Sequence, residues 1–133
     1  MKKIIIAMLA MLLTSSLMAA DTTAKAKLAS DMRIMLSSVV DIQRAGFYDN
    51  KDAMKDATKK LIDSLDSLLT TDPTTYLPVS KIKAVKFARK REKMIKMYAE
   101  DLMDSMEAND MEEALEDYAQ ILRQCSSCHS RLR

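Results

Sequence analysis

Residues 109–133 read NDMEEALEDYAQILRQCSSCHSRLR. Apolar side chains recur in this segment every three or four positions: Met111, Ala114 or Leu115, Tyr118, Ile121 or Leu122, and then Cys125 and Cys128. That period puts them on one stripe of an α-helix, because residues three and four apart lie on the same helical face. Asn109 with Glu112 three residues later has the form of a capping box, in which each side chain satisfies a free backbone N–H at the helix start. A helix with a single apolar stripe is stable only against other helices or a sheet, so the rest of the chain must supply the partners.

Upstream, the same period returns three times. Ile82, Val85, Ile95, Tyr98, Leu102 and Met106 predict a third helix, opened near Pro78 and Ser80. Met54, Ala57, Leu61, Leu65 and Leu68 predict a second, capped by Asn50. Leu28, Met32, Met35, Val39 and Ile42 predict a first, running from Ala24 to about Gly46, the only glycine of the chain. The breaks at 46–50, 71–80 and 107–110 carry their own stop or cap signals, which argues against one long coiled coil. With one Gly, two Pro and no Trp, the chain is poor material for a β-fold. The expected fold is all-α, an antiparallel up-and-down four-helix bundle. In that topology the starts of helices 1 and 3 and the ends of helices 2 and 4 share one end.

The first twenty residues have a different character. Lys2 and Lys3 precede an apolar run from Ile4 to Leu13, and Thr14, Ser15 and Ser16 lead to the small residues Ala19 and Ala20. This is the layout of a secretory signal peptide; the run is short for a membrane span, which takes roughly 20 apolar residues. The expected organisation is a signal peptide over 1–20 and one domain over 21–133, exported to the periplasm and free of the membrane after cleavage. The signal segment holds two of the 21 Lys and Arg residues and none of the 19 Asp and Glu. The domain is thus close to neutral, and net charge gives no support for a nucleic-acid partner.

Its charges are nevertheless segregated. Lys81, Lys83, Lys86, Arg89, Lys90, Arg91, Lys93 and Lys96 form a basic run, and from Glu100 to Asp117 nine acidic residues follow with no basic one. In an up-and-down bundle the basic run lies at the end that holds the C-terminus, assisted by Lys25, Lys27, Arg131 and Arg133. The usual outcome for such runs is a solvated surface. The functional reading is a positive end that steers an acidic partner.

The sharpest local signal is Cys125-Ser-Ser-Cys128-His129, in which two cysteines three residues apart precede the only histidine. Cys-x-x-Cys-His is the signature of covalent c-type haem attachment. On a helix, positions i and i+3 present two thiols to one porphyrin, and the next residue can offer its imidazole to the iron. Other readings are weaker. A thioredoxin-like pair needs a strand-to-helix context, a zinc site needs a fourth ligand that no further His or Cys provides, and a disulfide closing so small a loop constrains little. One covalent haem c is therefore the expected cofactor. By position, Met32 and Met35, both early in helix 1 on its apolar stripe, are each able to supply the second axial ligand; each is equally an ordinary core methionine.

The chain resembles the cytochrome c′ superfamily, within it the low-spin cytochrome c-556 and cytochrome b562 branch. The resemblance rests on the ending Cys-Ser-Ser-Cys-His-Ser-Arg-Leu-Arg at Arg133 and on the helix 1 stretch Asp31-Met-Arg-Ile-Met-Leu-Ser-Ser-Val-Val-Asp-Ile-Gln. It implies that Met32 is the axial ligand and Met35 packing, since Ile42 stands at the branch's spacing of ten residues from the ligand Met. An electron carrier rather than an enzyme is expected, because no second His, no Ser/His/Asp grouping and no carboxylate pair is placed to act on a substrate. The basic end points to a redox protein of acidic surface as partner, and the resemblance leaves a monomer or homodimer. Members without the Met keep a five-coordinate iron that binds NO or CO, which is the alternative function. A helical protein that carries no haem and binds a partner through its basic face is a third.

Overall fold

A computed structural model describes residues 2–77 and 82–132, with side chains from Thr22 onward. The expected start of the third helix at Pro78 and Ser80, Lys81 of the basic run, and Arg133 lie outside the described residues. Four α-helices follow one another: α1 (Lys2–Phe47), α2 (Lys51–Thr70), α3 (Ile82–Glu107) and α4 (Met111–Leu132). Each packs against the next in sequence, α1 on α2, α2 on α3 and α3 on α4, which makes the predicted four-helix bundle. Among the described residues, no helix is long and apolar enough to cross a membrane.

α1 is longer than expected. It begins at Lys2 rather than Ala24, because residues 2–23 contain neither Gly nor Pro and are rich in Ala, Leu and Met, all strong helix formers. Its end also differs from expectation, since Gly46 is still helical and does not stop it. Asp49 does, in the left-handed conformation with φ 50°. The N–H of Asn50 donates to the carbonyl of Ala45 (2.9 Å) and that of Asp49 to Gly46 (3.2 Å), a Schellman closure. Asn50 then caps α2, its side chain accepting from the N–H of Ala53 at 3.0 Å.

The α3–α4 corner repeats this device. Asn109 takes the left-handed position at φ 63°, and the N–H groups of Asp110 and Asn109 return to Ser105 (2.9 Å) and Met106 (3.3 Å). The cap of α4 is therefore Asp110, which accepts from the N–H of Glu113 at 3.1 Å, and not the expected Asn109 with Glu112. The expected register was one residue early because Asn109 is spent on ending α3. Between α2 and α3, the Thr-Asp-Pro-Thr-Thr loop folds into a 3₁₀ turn over Pro73–Thr75, capped by Asp72 and with Pro73 buried.

Buried positions recur by three and four along every helix: 31, 35, 38, 42 and 45; 54, 57, 61, 65 and 68, with Thr58 and Ser64 buried beside them; 88, 92, 95, 99, 102 and 106; 114, 117, 121 and 124. This is the spacing of coiled-coil-like packing in bundles. The stripe expected for α2 is buried in full, while those of α1 and α4 are rotated. On α1 the innermost line is Asp31, Met35, Ser38, Ile42 and Ala45, and Leu28, Met32 and Val39 are only half-buried. Small residues at 38 and 45 let α1 settle closely on α2, which turns its larger side chains toward α4. α1 and α4 are packed together far less closely than the three sequential pairs, and the bundle is loosest along that seam.

Candidate functional site

The α1/α4 seam holds an apolar cavity of about 180 Å³. α1 lines it with Met32, Met35, Leu36 and Val39, and α4 with Leu122, Cys125, Cys128 and His129. Leu68 of α2 and Glu92 and Ile95 of α3 form its floor. Every residue singled out in the sequence, Cys125, Cys128, His129, Met32 and Met35, meets here. The up-and-down order accounts for it: α1 and α4 run antiparallel, so residues 32–39, in the later half of the long α1, lie against the last turns of α4. Tyr118 spans the same seam further along, its hydroxyl donating to the carbonyl of Val39 at 3.2 Å.

Both cysteines are free thiols and half-buried. Burial, together with the neighbouring Cys128, pushes the Cys125 thiol up to about 11. Burial raises Cys128 as well, reinforced by the charge of Glu92 and opposed by Arg91. The cavity therefore favours neutral sulfur over thiolate. A thioether is neutral and apolar and meets no such penalty. His129 lies exposed in the last turn of α4, at the rim. Met35 is buried in the core, and Met32 is half-buried and packed against it. Among the described residues, no three His, Cys, Asp or Glu side chains converge as a metal site would need. A haem iron asks less of a protein, because the porphyrin supplies four donors and only the axial positions remain. In donor chemistry and lining, the residues present fit that group.

Glu92 is a part of the site that sequence reasoning missed. The residue is 5 % exposed, and its carboxylate accepts from the Tyr76 hydroxyl at 3.0 Å and pairs with Arg89 at 3.0 Å. Burial and the Glu92 charge hold the Tyr76 hydroxyl well above the usual phenol range. Arg89 also donates to the carbonyls of Leu68 and Thr71, so it closes the C-terminal turn of α2, where a cation is favoured. A signal was present in the sequence: Glu92 occupies a core position between Ala88 and Ile95. Lys27 approaches the same turn from α1, bonded to Asp31 (2.9 Å) and the Ser67 hydroxyl (2.6 Å). The end of α2 is thus clamped from both sides by groups adjoining the cavity.

The last turns of α4 are held by side chains of α3. Arg91 bonds to Gln124, and the guanidinium groups of Arg91 and Arg131 lie 4.9 and 4.7 Å from the centre of the Phe87 ring. Such cation–π contacts contribute about 0.5–1 kcal/mol at exposed sites, and here they brace the helix end that carries Cys128 and His129. In comparisons with known proteins, no family model, curated protein or solved structure matches this chain.

Proposed function

We propose that this chain is a periplasmic monohaem c-type cytochrome that carries single electrons. Haem is attached through Cys125 and Cys128, with His129 and Met32 as axial ligands of the iron. One observation carries the reading: the Cys-x-x-Cys-His motif and Met32 come from opposite helices and line one apolar cavity. Cys125 and Cys128 are the residues that would hold the ring, and His129 and Met32 the iron. When bound, the haem would supply a one-electron couple, and a Met ligand such as Met32 would raise its potential. The chain's own part is positional. Met35, Leu36, Val39 and Leu122 would give the haem an apolar lining, Glu92 stays paired with Arg89 and Tyr76, and Phe87 steadies the end of α4.

The test is the protein exported from cells that carry haem-maturation machinery. Its mass should exceed that of the polypeptide by one porphyrin, and the bare mass would overturn the proposal. Reduced protein should show sharp α and β bands that do not move on adding CO. Met32→Ala should convert the spectrum to a high-spin form that responds to CO. An unchanged spectrum would move the ligand to Met35, and a wild-type response to CO would favour the five-coordinate, gas-binding function.

A further inference from the structure

The outer face of α3 bears a charge pattern of which the proposed function uses only the basic half. With Glu92, Ile95, Ala99, Leu102 and Met106 turned inward, the outermost line of the helix is Lys83, Lys90, Met97 and Asp104, one every seven residues. Beside it on the α2 flank runs a second exposed line, Lys86, Lys93, Glu100 and Glu107. Both lines are basic before Met97 and acidic after it, and Met97 itself is 44 % exposed.

This order opposes the helix dipole. α3 has no acid in its first turn and no base in its last, whereas isolated helices favour the reverse. The same polarity continues into α4, which opens with Glu112 and Glu113 and ends with His129 and Arg131. Each molecule is acidic at one end and basic at the other, and among the described residues no ion pair offsets the lines on α3 beyond a 3.6 Å contact between Glu100 and Lys96.

We propose that this face pairs with the same face of a second copy, the two α3 helices antiparallel about a two-fold axis at Met97. A two-fold interface must be self-complementary, and the two lines meet that condition at every position except Lys83, which lies beyond the reach of the partner's α3. In an antiparallel pair centred on Met97, Lys90 faces Asp104 of the second copy within the outermost line. In the flanking line, Lys93 faces Glu100 and Lys86 faces Glu107. Symmetry makes each pair occur twice, around a central contact of the two Met97 side chains. The dimer cancels both molecular dipoles and leaves the α1/α4 cavity open, since that seam lies across the bundle from the outer face of α3. Exposed ion pairs are individually weak and screened by salt, so the association is weak and depends on ionic strength.

Sedimentation equilibrium of the mature protein tests this. The association constant should fall at least about tenfold between roughly 20 mM and 500 mM salt, as the screening length shortens. Lys90→Glu and Asp104→Lys should each weaken association about tenfold, since each puts like charges face to face twice. The double variant Lys90→Glu/Asp104→Lys should return to within about threefold of wild type. An equimolar mixture of the two single variants should do the same by forming mixed dimers, and circular dichroism would confirm that each is folded. A protein monomeric at low salt and high concentration would overturn the proposal. So would singles that are not rescued, or a loss on Lys90→Glu with no effect of Asp104→Lys, which would assign the lysines to a different acidic partner.

Discussion

Ser38 buries its hydroxyl in the contact between α1 and α2 with no hydrogen-bond partner among the described residues. An unpaired hydroxyl in such a place is a net cost, and removing it leaves a void no larger than one oxygen atom. Ser38→Ala should therefore raise stability by a few tenths to about 1 kcal/mol in urea unfolding; a loss of that size would mean the hydroxyl has an undetected partner. Asp117 poses a different case. Buried between α3 and α4, it accepts from the Ser105 hydroxyl at 3.0 Å. Burial first, and then the charges of Asp101 and Glu116, raise its pKa against the lowering effect of that hydrogen bond. Its folded form thus binds a proton more readily than its unfolded form. The stability this contributes is present at low pH and is lost as pH rises through the folded-state value. Asp117→Asn, which keeps the acceptor and removes the charge, should stabilise the bundle near pH 7 by up to about 1 kcal/mol. Near pH 3, where wild type is already protonated, it should change little. Unfolding at the two pH values checks the sign, and a larger benefit at the acidic one would refute it.

At the scale of the element, the two αα corners are built alike. Each ends one helix with a left-handed Asp49 or Asn109 and caps the next with the residue that follows. The side chain of Lys51 bonds to that of Asn109 and ties the corners together. Both left-handed positions hold residues that pay a steric penalty glycine avoids, whereas Gly46 lies within the helix, its absent Cβ meeting only Met54 Sδ at 3.9 Å. Asp49→Gly should thus stabilise by about 0.5–1 kcal/mol, read as a higher midpoint in thermal unfolding; destabilisation would show that Asp49 contributes something besides its conformation. The cap on α2 and the existence of all four helices were legible in sequence. The exact corners were not, because Asn and Asp serve both as left-handed terminators and as N-caps, and only the returned hydrogen bonds tell adjacent ones apart.

For the whole molecule, the arrangement of charge matters more than its sum. Lys27 and Arg89, two bases of the cavity end, are engaged with Asp31 and Glu92. Lys83, Lys86, Lys90 and Lys93 face solvent. On the proposed function, these supply the field that draws an acidic redox protein. Its electron-transfer rate with this protein should fall as salt rises from about 10 to 300 mM. A rate indifferent to salt would remove the steering role and leave the lysines to the α3 face alone.

Taken by itself, the sequence determined the helices and the chemistry of the motif. Periodicity and the Cys125–His129 spacing are local properties, set within one or two helical turns. It determined also that these residues share an end with Met32, since that follows from the up-and-down order. Only the tertiary structure decided which side of each helix is innermost. The rotation of α1 depends on how closely Ser38 and Ala45 let it approach α2, and that sets Met32 and Val39 on the seam. Only the structure, too, revealed Glu92 as a buried carboxylate at the cavity floor. Its partners both precede it in sequence: Arg89 lies one helical turn earlier on α3, and it is the fold of the loop after α2 that brings Tyr76 to it.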